Sequence, residues 1–165
     1  MAYGFAYREA DSEAAYEVLR RGMTIAQDSG NRQMESNLAV NLSGLAATHG
    51  DYADALDYLT LAIRNYHDAG NVSMVQNPLA ILAALFDRLG HYDAAATISG
   101  FAATPLFRTA FPELTTATTH LREVLGDKVY ESFARGGENM SNAAMATYAF
   151  DQIEHARAEL HTSLK

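Results

Sequence analysis

The chain has no cysteine, and so it can form no disulfide framework and carries no thiolate nucleophile. That absence fits a reducing, cytoplasmic setting. Cations are also scarce, with 12 lysines and arginines against 20 aspartates and glutamates and a net charge of −8. Gripping nucleic acid or an anionic membrane needs clustered positive charge, so direct binding to either is not expected. No apolar run approaches the roughly 20 residues of a membrane span; the longest goes from Leu79 to Phe86. The first residues carry Arg8 and Glu9 and lack the apolar core of a signal peptide. Prolines number only three, while 48% of the 165 residues are hydrophobic. Together these point to one folded, mostly helical domain.

What is present is punctuation at a fixed interval. Asp28-Ser29-Gly30-Asn31 is answered forty residues on by Asp68-Ala69-Gly70-Asn71, and Gly50-Asp51-Tyr52 by Gly90-His91-Tyr92. Between the marks, Met34, Asn37, Leu42 and Leu45 recur as Met74, Asn77, Leu82 and Leu85. The register also extends backwards, from Asp51, Ala55 and Leu59 to Asp11, Ala15 and Leu19. Such self-similarity marks an array of supersecondary units. The expected organisation is a leading half-repeat over 1–30, repeats over 31–70 and 71–102, and a C-terminal cap over 103–165.

Apolar residues within each unit fall at helical spacing. Ala15, Leu19, Met23 and Ala26 share one face of a helix that Gly30 ends. Leu38, Leu42 and Leu45 stripe a helix over 32–49 closed by Gly50, and Asp51 is placed to cap a helix running through Ala69. The next hairpin is expected over 72–89 and 92–99, its first turn made irregular near Gln76 and Asn77 by Pro78. After Gly100 the register fails. Helices are expected over 113–125 and 127–135, then a turn at Gly136-Gly137, then a helix capped by Ser141 and running to about Leu160. Met1–Glu9 reads as the tail of a truncated helix. Its Tyr3, Phe5 and Tyr7 are candidates for a homodimer contact if exposed.

Around the turn glycines, small residues recur at fixed offsets: Ser43, Ala55 and Ala62 about Gly50, then Ala83, Ala95 and Ala102 about Gly90. This resembles a tetratricopeptide (TPR) pattern stretched to forty residues. The resemblance implies an all-α, TPR-like right-handed solenoid. The strings Gln27–Arg32, His49–Leu56 and Leu89–Ala96 with Gly100 narrow it further, as do Leu125-Gly126-Asp127, Arg135-Gly136, Met140-Ser141 and Tyr148-Ala149. Over essentially the whole chain these are similar to the C-terminal helical-repeat region of bacterial signal-transduction ATPases, including LuxR-type (MalT-like) transcriptional regulators and cyclase-fused relatives. One departure is that Asn142, Ala143 and Ala144 follow Ser141, where such regions carry an acidic residue.

That resemblance implies a non-catalytic module that binds a protein or peptide, or alternatively senses a small-molecule inducer. It also implies an ATPase module on the same or another chain, since no phosphate-cradling Gly-x-x-x-x-Gly-Lys-Ser/Thr string occurs here. In the TPR register the concave face takes Asn37, Val40, Asn41, Gly44 and Thr48, then Asn77, Ile81, Ala84 and Arg88. Asparagines 37 and 77 stand at equivalent points. An amide both donates to and accepts from a peptide backbone, which suits an extended peptide; the competing reading is a bond between neighbouring helices.

Other chemistry has weak signals. No two of the histidines at 49, 67, 91, 120, 155 and 161 are four apart on a helix, so no metal site is expected. Acids cluster at Glu9, Asp11, Glu13 and Glu17, and again at Asp51, Asp54 and Asp57, where they complement helix N-termini and wet the outer surface. Neither catalytic residues nor cofactors are expected.

Overall fold

The structure is a computed structural model and describes residues 12–104 and 111–163. Among these residues every regular element is an α-helix: α1 Ser12–Asp28, α2 Arg32–His49, α3 Tyr52–Asp68, α4 Gln76–Leu89, α5 Tyr92–Ala102, α6 Pro112–Leu125, α7 Asp127–Glu138 and α8 Asn142–Ser163. None of them is long and apolar enough to cross a membrane.

The first four connections are made by one device. Gly30, Gly50, Gly70 and Gly90 lie at φ 66, 86, 65 and 83°, in the left-handed region where a Cβ is penalised. That conformation turns the chain back so that the next amide reaches the carbonyl five residues earlier. Asn31 N–H donates to Ala26, Asp51 to Ala46, Asn71 to Tyr66 and His91 to Phe86, each at 2.9 Å. The asparagine of the same turn then bonds the amide three residues on, which caps α2 in the case of Asn31 and lies in the turn before α4 in the case of Asn71. Asn31 Oδ1 accepts from Met34 N–H at 3.0 Å, and Asn71 Oδ1 accepts from Met74 N–H at 3.2 Å. Asp51 occupies its expected cap position, although its carboxylate makes no capping bond.

Pro78 is accommodated without a kink. The chain makes a non-helical turn over 72–75, and α4 begins at Gln76, which places the proline in the first turn, where amides have no intrahelical partner to lose. The helix is therefore shorter than the 72–89 expected.

Helices α1 and α2, α2 and α3, α3 and α4, and α4 and α5 pack as successive neighbours. One apolar cluster runs through them, with Leu42, Leu56, Leu59, Ile63, Leu82 and Ile98 fully buried, and continues into Leu114 and Leu121 of α6 and Met145 and Ile153 of α8. No buried side-chain polar atom among the described residues lacks a hydrogen-bond partner.

Beyond α4, Gly126 still ends a helix at positive φ, but Gly100, Gly136 and Gly137 do not. Helix α5 runs past Gly100 to Ala102, and α7 runs through Gly136 and Gly137 to Glu138, where a turn was expected. The reason is a backbone-to-backbone crossing of α5 and α7. A Cβ on Gly100 would sit 1.9 Å from the carbonyl oxygen of Ala134, and one on Gly137 1.8 Å from that of Thr97. Only hydrogen fits at either point. Tyr130 anchors the crossing, its hydroxyl 3.0 Å from Ser99 Oγ and its ring 4.3 Å beneath the Arg122 guanidinium. Arg122 also bonds Asp127 and Glu131, and these bonds hold its charge, raising its pKa above the usual arginine value.

Ser141 caps α8 as expected, Oγ accepting from Ala144 N–H at 3.2 Å. The helix then returns to pack on α3 and α5. Arg157 ties it down, bonding Asp57 and Thr60 of α3, while Arg64 lies over the Phe150 ring at 5.8 Å.

Candidate functional site

Helices α2 and α4 each turn one face toward a shared cleft. Gly44 and Thr48 of α2 line it together with Ala84 and Arg88 of α4, which stand forty residues further on. Ala47, Ala80, Ile81 and Leu85 complete the floor, and Phe111, Glu113 and Leu114 at the start of α6 close one end. The cleft offers about 30 Å³, room for roughly two waters. Arg88 reaches across it, Nη1 donating to the Ala47 carbonyl at 3.3 Å. That carbonyl belongs to the last turn of α2, where orphan acceptors and the helix dipole favour a cation.

Of the expected concave residues, Gly44, Ile81 and Arg88 meet at this cleft, as do Thr48 and Ala84. Asn37, Val40, Asn41 and Asn77 do not line it. Asn37 is half-buried and its Oδ1 accepts from the Tyr66 hydroxyl of α3 at 2.6 Å, a bond between the two helices of one hairpin. Burial pushes that hydroxyl up to about 12, so it remains a neutral donor. Asn41 Nδ2 donates to the Asn37 carbonyl at 2.8 Å, within its own helix. Asn77 Nδ2 lies 3.7 Å from Met74 Sδ, and Val40 packs against the core. Glu35 of α2 makes a second cross-hairpin bond, accepting from Asn65 Nδ2 at 3.0 Å.

The residues absent from the expected set come from two sources. Ala47, Ala80 and Leu85 extend the stripes already chosen by one position. Phe111, Glu113 and Leu114 lie beyond the periodic segment, where the register carries no signal. The flanking Pro112, at the first position of α6, was the only local mark of a helix start there.

The titratable groups are dispersed. His120 Nδ1 lies 2.8 Å from Asp87 Oδ1 with its ring edge-on to Tyr92, joining α6 to α4 and α5. His91 Nε2 stands 3.4 Å from Glu159 of α8, and His49 stacks on Tyr16. The Tyr16 hydroxyl is raised well above the usual range, chiefly by desolvation and also by its bond to Tyr58. Glu13, Glu17, Asp51 and Asp54 are exposed, and Asp57 is held by Arg157. Glu9, Asp11 and the aromatic triplet Tyr3, Phe5 and Tyr7 fall outside the described residues. Among the described residues no three metal-ligating side chains converge. A second hollow, of about 570 Å³, lies along the solvent side of α7 between Asp127, Lys128, Glu131, Arg135 and Asn139. It is made from one helix and carries both signs of charge, as a solvated face does.

No family model, curated protein or solved structure matches the chain.

Proposed function

We propose that the chain is a helical-repeat interaction module: TPR-like hairpins at a forty-residue interval, wound as a right-handed solenoid, with α6–α8 as its cap. Its role is to hold a protein or peptide partner for a bacterial regulatory system of the signal-transduction ATPase or LuxR type, in the cytoplasm and without catalysis of its own. The observation that carries this reading is the shared cleft, where Gly44 and Ala84, and Thr48 and Arg88, are pairs of equivalent positions facing one space. Two helices offering the same positions to one surface is how stacked hairpins build a concave binding face.

The partner element is an extended peptide that presents an acidic group to Arg88. The guanidinium has five N–H donors, and the bond to Ala47 uses one of them. Asn37 belongs to hairpin packing in this reading, and the peptide-facing role passes to Thr48, Ala84 and Arg88.

The test is selection of peptides from a random display library on the intact chain, followed by affinity measurement on variants. Selected peptides should bind Ala84→Arg and Arg88→Glu at least about ten-fold more weakly and Asn139→Ala unchanged. An empty selection, or binders indifferent to Ala84 and Arg88, would remove the reading.

A further inference from the structure

The α2–α4 cleft combines a pit of fixed size with an exposed charge at each end. Its walls include Ala47, Ala80, Ala84, Leu85 and Leu114, which are all buried, so the space of about 30 Å³ cannot widen by swinging loose side chains aside. The charges are Arg88 of α4 and Glu113 of α6. Their separation follows from how α6 lies on α4. His120 of α6 bonds Asp87 of α4, while Leu114 of α6 shares the cleft with Ala80 and Ala84, so the two helices run in the same direction. Glu113, seven residues before His120, therefore stands level with Ala80, seven before Asp87. Arg88 is eight residues further along α4, about 12 Å at 1.5 Å per residue.

We infer that the cleft reads a five-residue motif in an extended peptide: an acid at one end, a short side chain in the middle, and at the other end any residue except an acid. The inference rests on the peptide reading above and names the class of peptide. An extended chain advances about 3.3 Å per residue and points alternate side chains the same way, so the first and fifth residues, about 13 Å apart, reach the two charges and the third enters the pit. Arg88 attracts the acid, since the bond it makes, to the Ala47 carbonyl, leaves its charge unneutralised. The Glu113 carboxylate repels a second acid at the far end. Room for roughly two waters admits a side chain of about three heavy atoms at most, which accepts alanine, serine, threonine or valine. Leucine, methionine and the aromatics overfill it.

The test sequences the library peptides that bind the intact chain and lose binding with Arg88→Glu, then measures affinities of synthetic copies. Leucine in place of the central short residue should weaken binding about ten-fold or more, and Ile81→Ala, which removes a half-buried part of the floor, should restore it. Glutamate at the fifth position should cost about ten-fold on the wild type and little on Glu113→Gln. The exchanged variant Arg88→Glu/Glu113→Arg, its helices checked by circular dichroism, should select the motif in reverse order. Arg88-dependent peptides with a leucine or aromatic centre, or with acids at both ends, would overturn the inference and leave the peptide reading standing. The same holds for an exchanged variant that selects the original order. An empty selection would remove both.

Discussion

Four glycines of the first half, at 30, 50, 70 and 90, sit where helices end; two others, Gly100 of α5 and Gly137 of α7, sit where helices touch. Gly30, Gly50, Gly70 and Gly90 have positive φ and open space around their Cα hydrogens. Gly100 and Gly137 have ordinary helical backbone and a carbonyl oxygen within 2 Å of any added carbon. One residue type thus answers two constraints, a torsional one that is local and a steric one that depends on a distant helix. The turn half of the molecule is specified residue by residue, and the crossing half by pairs.

The sharpest way to break this comparison is a single substitution applied to both groups. Gly137→Ala and Gly100→Ala should each cost about 3 kcal/mol or more, because the obstacle is backbone that cannot rotate aside. Gly50→Ala should cost about 1–2 kcal/mol, the penalty for a left-handed non-glycine residue. Gly136, one position before Gly137, is exposed with open space beside it, so Gly136→Ala should stabilise by about 0.5–1 kcal/mol through helix propensity alone. Urea unfolding of the four variants orders them; a Gly137→Ala effect no larger than that of Gly50→Ala would erase the distinction.

Alkaline titration adds a second contrast within α1–α5. Tyr66 has a raised value of about 12 in the fold against 10 when unfolded, so the folded state holds its proton longer as pH rises. Its contribution is complete below pH 10 and is lost between 10 and 12, with a slope of up to about 1.4 kcal/mol per pH unit. Tyr66→Phe should flatten that part of a pH–stability curve; an unchanged slope would mean that the hydroxyl is not sequestered.

Smaller still is the cross-hairpin bond itself. Asn37→Ala should cost about 1 kcal/mol, because it leaves the Tyr66 hydroxyl buried without its acceptor, and adding Tyr66→Phe should recover part of that loss. A double-mutant cycle by thermal unfolding gives the coupling; additivity within error would return Asn37 to the surface-facing role its spacing suggested. Smallest is Arg157→Ala, at no more than about 1 kcal/mol for a partly exposed pair. Its effect should appear as faster amide exchange confined to α8.

Much of the α1–α5 fold was legible in the residues because its signals are short-range. A glycine after a helical stripe, followed by asparagine three residues before a free amide, specifies a turn and a cap without reference to anything distant. The shape of α4 was partly legible: Pro78 announced an irregular start, and the structure moves that irregularity two to four residues earlier. The α5–α7 crossing could not be read, since Gly100 and Gly137 look like helix enders until the opposing carbonyls of Ala134 and Thr97 are known. The cleft was legible in part for the same reason. Spacing alone brings Gly44, Ile81 and Arg88 to one surface, but the fate of Asn37 depends on Tyr66 of another helix, and the end wall comes from residues outside the periodic segment.

The return of α8 to α3 has a mechanical consequence. A load applied at α8 is transmitted through Arg157 and the Phe150 contact to α3, bypassing the glycine joints between them. Whatever attaches beyond α8 would therefore pull the hairpins together in shear instead of peeling them apart one at a time.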